Sequence, residues 1–427
     1  VTDLYRSVSF GARQTLFLFS VDLVTNLVDY GFHAYLGRAL LPGDFAVVQT
    51  VNSAVLIVAT TLAMMQPVVA RYVAEAEARS DAQATTTRSH AVFRLFFRRS
   101  GWLGLALMMI GWLARRPVGA WLNVPALAVG LSSAMILLTL LRAVVGGMLQ
   151  GQQRFVPFGL TRSGYAVGRF LFGLGLVGLG GGAIGAVAAL PLGALVALLS
   201  GLAFLGWGAW RSPEAPPRRL WRDGLQLSAG SFLASAAYMS LLSSDLIWVN
   251  RSFGPDTAGA YAAAVLLRRA LVLFPGAAVV VMYPRVVGRV TQGHLPDRLL
   301  LKVIGFVLLA VLLPTLFYFG FGSAILTFTF GPGYEEAASV LGLMGLAMCG
   351  YGIGSVWYNL FLATRPGPYV GLLVVTAVSQ FALLFRFHTT LRQVMAIFGL
   401  AGWTLALGGA ALYLFWLRRR LTARSDG

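Results

Sequence analysis

Long apolar runs dominate the chain. Twelve of them are predicted as helices, near residues 14–36, 46–69, 100–113, 126–149, 156–179, 183–210, 225–249, 258–283, 303–321, 338–362, 369–387 and 394–416. Most approach or exceed the ~20 residues that an α-helix needs to cross a hydrocarbon core of about 30 Å. The run at 100–113 is the shortest, and a basic amphipathic stretch, 88–99, precedes it. That stretch reads either as positive-inside anchoring or as an interfacial helix on anionic lipid. The ten-residue apolar/polar alternation of a membrane β-barrel is absent. Connections are short, so no sizeable extramembrane domain is expected. The fold class expected is all-α, a polytopic membrane protein with about twelve transmembrane helices.

A weak internal repeat divides these runs into two sets of six. Shifted by about 217 residues, Leu36-Gly37-Arg38 with Gly43-Asp44-Phe45 lies over Phe253-Gly254-Pro255 with Gly259-Ala260-Tyr261. Gln66-Pro67 then lies near Tyr283-Pro284, and Asp29 near Asp245. Six spans per half put both halves into the membrane from the same side, the parallel repeat of a transporter. The organisation expected is a six-helix lobe at 1–210, a Pro/Arg-rich cytoplasmic linker at 211–224, and a second six-helix lobe at 225–427 ending in a short cytoplasmic tail.

Composition sharpens the class. Of 427 residues, 58% are hydrophobic and only 11% charged, too apolar for a soluble globule or a disordered chain. The formal charge is +18, from 33 basic and 15 acidic residues. In a soluble protein that balance suggests nucleic acid; here it is a topological signal. With the N-terminus cytoplasmic, 22 basic residues fall on the cytoplasmic side and six outside, as the positive-inside rule requires. Both termini are then cytoplasmic, and the first apolar run reads as a retained helix rather than a signal peptide.

Candidate chemistry is sparse. Cys349 is the only cysteine, so no internal disulfide can form. Four scattered histidines lack metal-ligand spacing, and no phosphate-binding G-x-x-x-x-G-K-[ST] loop exists. The G-x-G-x-x-G matches at Gly173 and Gly180 read as turn and helix packing, since no strand precedes them. Glu335-Glu336 reads as a cap on the tenth span. No cofactor, no metal and no enzymatic activity are expected.

What remains is charge inside the spans. Asp22, Asn26, Asp29 and His33, spaced four, three and four, make one polar stripe on the first helix. The seventh span echoes it with Ser231, Ser235, Tyr238 and Asp245. Arg162, Tyr165 and Arg169 share a face of the fifth span; Arg142 lies on the fourth, and Arg268 and Arg269 on the eighth. An unpaired mid-membrane arginine costs about 2.5–3.5 kcal/mol on insertion scales, so these five must pair or be hydrated. Three aspartates can neutralise three of them and leave two positive charges, a surplus that suits phosphate; for each arginine alone the competing reading is structural pairing or, for Arg142 and Arg162, snorkelling to the cytoplasmic face. The stripe residues read either as interhelical hydrogen bonding or as cavity wall.

The chain resembles the polysaccharide-transporter branch of the MATE-like MOP flippase superfamily, the Wzx-type lipid-linked oligosaccharide flippases. The resemblance rests on Leu36 to Phe45 (LGRALLPGDF), Ala70 to Ala74 (ARYVA), Gly147 to Phe155 (GMLQGQQRF), and Phe253-Gly254 followed by Gly259, Tyr261, Ala264 and Pro284. Phe330 to Tyr334 (FGPGY), Asn359 and Ala363-Thr-Arg365 continue it. The resemblance implies a MATE-like fold of two lobes, a cationic cavity, and alternating access that moves an undecaprenyl-diphosphate-linked glycan to the outer leaflet of a bacterial inner membrane. On that reading Arg142, Arg162, Arg169, Arg268 and Arg269 bind substrate. Asp22, Asp29 and Asp245 couple a proton or sodium ion or gate the cavity, and Asn26, His33, Tyr165 and Tyr238 line it. The implied partners are the lipid-linked glycan, anionic lipid and glycan polymerase or assembly proteins. Competing readings are a MATE-type multidrug exporter, a lipid II flippase, a membrane-embedded glycan polymerase or ligase, and a scaffold in a glycan-assembly complex. A surplus of arginine disfavours export of organic cations, and relatives that flip lipid II usually carry fourteen helices.

Overall fold

The computed structural model describes residues 2–78, 82–210, 219–271, 297–364 and 366–418. Among them the secondary structure is helical throughout, without strands. The main helices are α1 (Thr2–Ala39), α2 (Pro42–Ala63), α3 (Met65–Ala78), α4 (Ala82–Leu113), α5 (Arg115–Leu122), α6 (Ala126–Gly151), α7 (Phe155–Leu176) and α8 (Gly182–Leu205). They continue with α9 (Arg219–Ser252), α10 (Pro255–Ala270), α11 (Asp297–Phe330), α12 (Ala338–Thr364), α13 (Pro366–Arg386) and α14 (Leu391–Leu412).

Eight helical stretches among the described residues are long and apolar enough to cross a membrane, and Phe155–Leu205, at 51 residues, holds both α7 and α8. Adding α1, α4 and α10 gives the twelve expected. The second half of the eighth predicted span, the Tyr283-Pro284 pair, most of the Pro/Arg linker and Arg365 lie outside the described residues.

Breaks in the helices have local causes. The second span is interrupted between α2 and α3 at Met64, whose N–H bonds back to Thr61. Pro67, in the first turn of α3, cannot donate to a continued helix, so the ladder restarts there. Between α7 and α8 the chain turns at Gly180 (φ +86°) and Gly182 (φ +52°), left-handed positions that glycine adopts without a Cβ clash. The two G-x-G-x-x-G matches belong to this turn and the helices flanking it. Glu335 and Glu336 form a 3₁₀ turn just before α12 and accept hydrogen bonds from Thr327 (3.2 Å) and Thr257 (3.0 Å).

The chain forms two compact units: Val1–Ala39 with Val55–Phe232, and Leu40–Ala54 with Leu233–Gly427. Connectivity and packing therefore part company within α2 and within α9. In the first unit, Trp221 of α9 packs on Phe96 of α4 and Gly224 fits against Val68 and Tyr72. Trp210, just before the linker, packs on Phe93 and Phe97 of α4. The stretch 88–99 is not a separate helix. It runs unbroken into 100–113, and its Phe93 and Phe96 are fully buried in protein, so those rings are not available to lipid.

Small residues let the helices approach closely. A Cβ on Gly193 of α8 would lie 2.6 Å from the Arg169 backbone nitrogen of α7. In the second unit a Cβ on Gly259 of α10 would collide with the backbone at Pro42. Tyr351 and Trp357 of α12 similarly fill the surfaces left open by Gly402 and Gly409 of α14.

Candidate functional site: the intramembrane arginines

In the first unit the stripe on α1 meets the arginine face of α7. Arg162 pairs with Asp22 and Arg169 with Asp29, and both pairs are 140 residues apart. A constant difference between partner numbers means that the helices run parallel. The two rungs are seven residues apart, about 10.5 Å along the helix axis. Between them the Thr25 and Ser163 hydroxyls bond at 3.1 Å.

The rungs differ in character. Arg169 is buried against Phe32 and Tyr165, with its guanidinium 4.7 and 5.5 Å from the ring centroids. Its Nη2 also lies 3.5 Å from His33 Nε2, so Asp29 and His33 of the stripe converge on one cation. Arg162 and Asp22 are 49% and 39% exposed, and Asp22 meets a single guanidinium nitrogen, Nη1, at 3.0 Å. Arg142 of α6 stacks on Tyr165 at 4.6 Å. No carboxylate pairs with it among the described residues, and its buried Nε has no hydrogen-bond partner there. Tyr165 thus contacts two arginines, and Asn26 is exposed.

In the second unit the charges are sealed together. Asp245 accepts hydrogen bonds from Arg268 Nη1 (2.5 Å) and Nη2 (3.2 Å) and from the Tyr261 hydroxyl (2.6 Å). Arg268 Nη2 also donates to the Leu242 carbonyl at 3.0 Å, and the guanidinium lies 4.0 Å from the Phe398 centroid. Arg268 is 1% and Asp245 0% exposed, so in this conformation neither presents a surface to a substrate or an ion. Arg269 donates to Ser53 Oγ at 2.9 Å and has no carboxylate partner among the described residues. Tyr238 is buried, stacks on Tyr358 at 5.1 Å and donates to the Tyr351 carbonyl at 3.4 Å.

Three residues without assigned roles from sequence complete these contacts. Tyr261 is the third donor to Asp245, and Ser53 is the acceptor for Arg269. Gln380 of α13 donates to the Leu241 carbonyl and Ser244 Oγ of α9 at 3.0 and 2.9 Å, across 139 and 136 residues. Further along both helices Trp248 packs on Phe385, so α9 and α13 run parallel, as α1 and α7 do. A polar residue within an apolar span was the available signal for Ser53 and Gln380.

The model of the family described as polysaccharide biosynthesis protein matches residues 12–288, well over half of the chain. The chain belongs to this polysaccharide biosynthesis family. No protein of curated function matches it significantly. Among solved structures it is similar to an inward-facing multidrug-resistance MATE-family transporter of the MOP superfamily, with 16% identity over 93% of this chain and 95% of that one and a TM-score of 0.71. It is also similar to a MOP-superfamily transporter from Pyrococcus furiosus described as having a binding pocket of reversed polarity, with 16% identity, 96% and 94% coverage and a TM-score of 0.64. An outward-facing MATE-family transporter matches with 17% identity, 97% and 94% coverage and a TM-score of 0.61. This member of the polysaccharide biosynthesis family is a multi-pass membrane protein with the MOP transporter fold.

Proposed function

We propose that this chain is a secondary transporter that flips a lipid-diphosphate-linked oligosaccharide from the inner to the outer leaflet of a bacterial inner membrane by alternating access, with both termini cytoplasmic. The observation that carries the reading is the pairing of the membrane arginines. Each aspartate, Asp22, Asp29 and Asp245, neutralises one arginine, and Arg142 and Arg269 are left without a carboxylate among the described residues. A cation held in a low-dielectric span needs an anion, and arginine forks suit phosphate oxygens. A carrier of organic cations would need the opposite balance. The family match to polysaccharide biosynthesis supports a glycan-bearing lipid as the anion.

Arg142 and Arg162 are the proposed phosphate-binding cations of the first unit and Arg269 that of the second, with Arg169 held by Asp29. Arg268 and Asp245 form the scaffold of the second unit. The test is export of surface glycan in cells whose own flippase is deleted. Arg142→Gln and Arg269→Gln should each lower export at least tenfold at unchanged membrane abundance, and Arg38→Gln should not. Full export by the Arg142→Gln/Arg269→Gln double variant would overturn the reading.

A further inference from the structure

The ion pair of Arg162 differs from the sealed pair of the second unit, and the difference bears on how substrate would be held and let go. Asp245 grips Arg268 through both terminal nitrogens in full burial. Asp22 grips Arg162 through Nη1 alone, and both side chains are well exposed. The fork of Arg162 that best matches two phosphate oxygens is therefore not filled by Asp22. Phe158 of α7 lies 5.8 Å from the Arg162 guanidinium, and Tyr165, about one turn beyond Arg162 along α7, carries the Arg142 guanidinium of α6 at 4.6 Å.

The charges make the consequence definite. A diphosphate diester carries two negative charges, and Arg142 and Arg162 carry two positive ones. With Asp22 in place, three negative charges would share two cations. Arg169 offers no relief, because it is buried against Asp29 and His33.

We propose that Asp22 is a displaceable counterion that occupies Arg162 in the empty transporter and is exchanged for a substrate phosphate on loading. This rests on the reading that the guanidiniums of the first unit bind the diphosphate. Such an internal competitor weakens binding, and a transporter needs that weakness in order to release what it carries, since only differential affinity between states drives a cycle.

The experiment measures binding of inorganic pyrophosphate to the full chain in lipid nanodiscs at low ionic strength, where exposed charges are least screened. Losing a half-exposed competitor should tighten binding about fivefold in Asp22→Asn. Asp22→Ser gives a second removal of the same charge, should the first variant fold poorly. The deciding comparison is in an Arg162→Gln background, where the gain from Asp22→Asn should vanish. Unchanged or weaker binding in both Asp22 variants overturns the proposal. A gain that persists without Arg162 also overturns it, because the effect is then a general field rather than an exchange. If Arg162→Gln and Arg142→Gln both bind pyrophosphate as the wild type does, the phosphate-site reading itself fails, a separate result.

Discussion

Removing Asp245 isolates what the second unit's charge cluster contributes. Asp245→Ala strands the Arg268 guanidinium, 1% exposed, without a carboxylate among the described residues and with neutral partners such as the Leu242 carbonyl and the Phe398 ring. The Tyr261 hydroxyl loses its 2.6 Å acceptor at the same time. Breaking a buried pair by deleting one partner costs about 3–5 kcal/mol, because the remaining charge is uncompensated. At about 2–4 °C per kcal/mol for a unit of roughly two hundred residues, the unfolding midpoint should fall by roughly 6–20 °C. Removing both charges, as Asp245→Leu with Arg268→Met, should restore most of that loss, since an apolar replacement of a buried pair is often neutral. Asp22→Ala, which breaks the exposed pair, should cost no more than about 1 kcal/mol. The assay is built into the chain: Cys349 is its only cysteine and is buried in α12 of this unit, so a thiol-reactive dye reads unfolding on heating in detergent. A single variant that unfolds within about 2 °C of the wild type would refute the reasoning. A double variant as unstable as the single one would do the same.

Close helix contacts and aromatic packing make further predictions. Gly259→Ala places a Cβ against the Pro42 backbone, which cannot move as a side-chain tip can. It should destabilise by about 1–3 kcal/mol in the same dye assay, whereas Gly175→Ala, with open space around it, should be neutral or slightly stabilising. Phe96→Ala removes a fully buried ring from between Tyr72 and Trp221. It should cost about 3–5 kcal/mol, read as loss of folded protein on fluorescence-detected size exclusion.

Much of this architecture was legible because lipid imposes strict rules on a chain. Apolar length marked the spans, and the polar stripe from Asp22 to His33 could face only protein or water. The same arithmetic of five arginines and three aspartates gave the surplus of two. What the sequence could not show was which arginine meets which aspartate, because the partners lie 140 residues apart and their meeting depends on α1 and α7 running side by side. Asp29 and Asp245 look equivalent in the repeat. They differ because Tyr261 and both arms of Arg268 close on Asp245, while Asp29 stays 40% exposed beside Arg169. The break at Met64 was readable in principle from Pro67. The handover of the first part of α2 to the second unit was not, since it depends on contacts such as Gly43 with Pro255 and Gly259 with Pro42.

The footing of the linker has a practical consequence. Trp210 before it and Trp221 after it both rest on α4, so the chain leaves and rejoins the same unit. Beyond the linker it passes to the other unit within α9, between Phe232 and Leu233. The linker between those two tryptophans is thus bracketed by anchors in one unit. It is the natural place to split the gene into two co-expressed pieces, or to insert a fluorescent reporter or a protease site, with both anchors left intact.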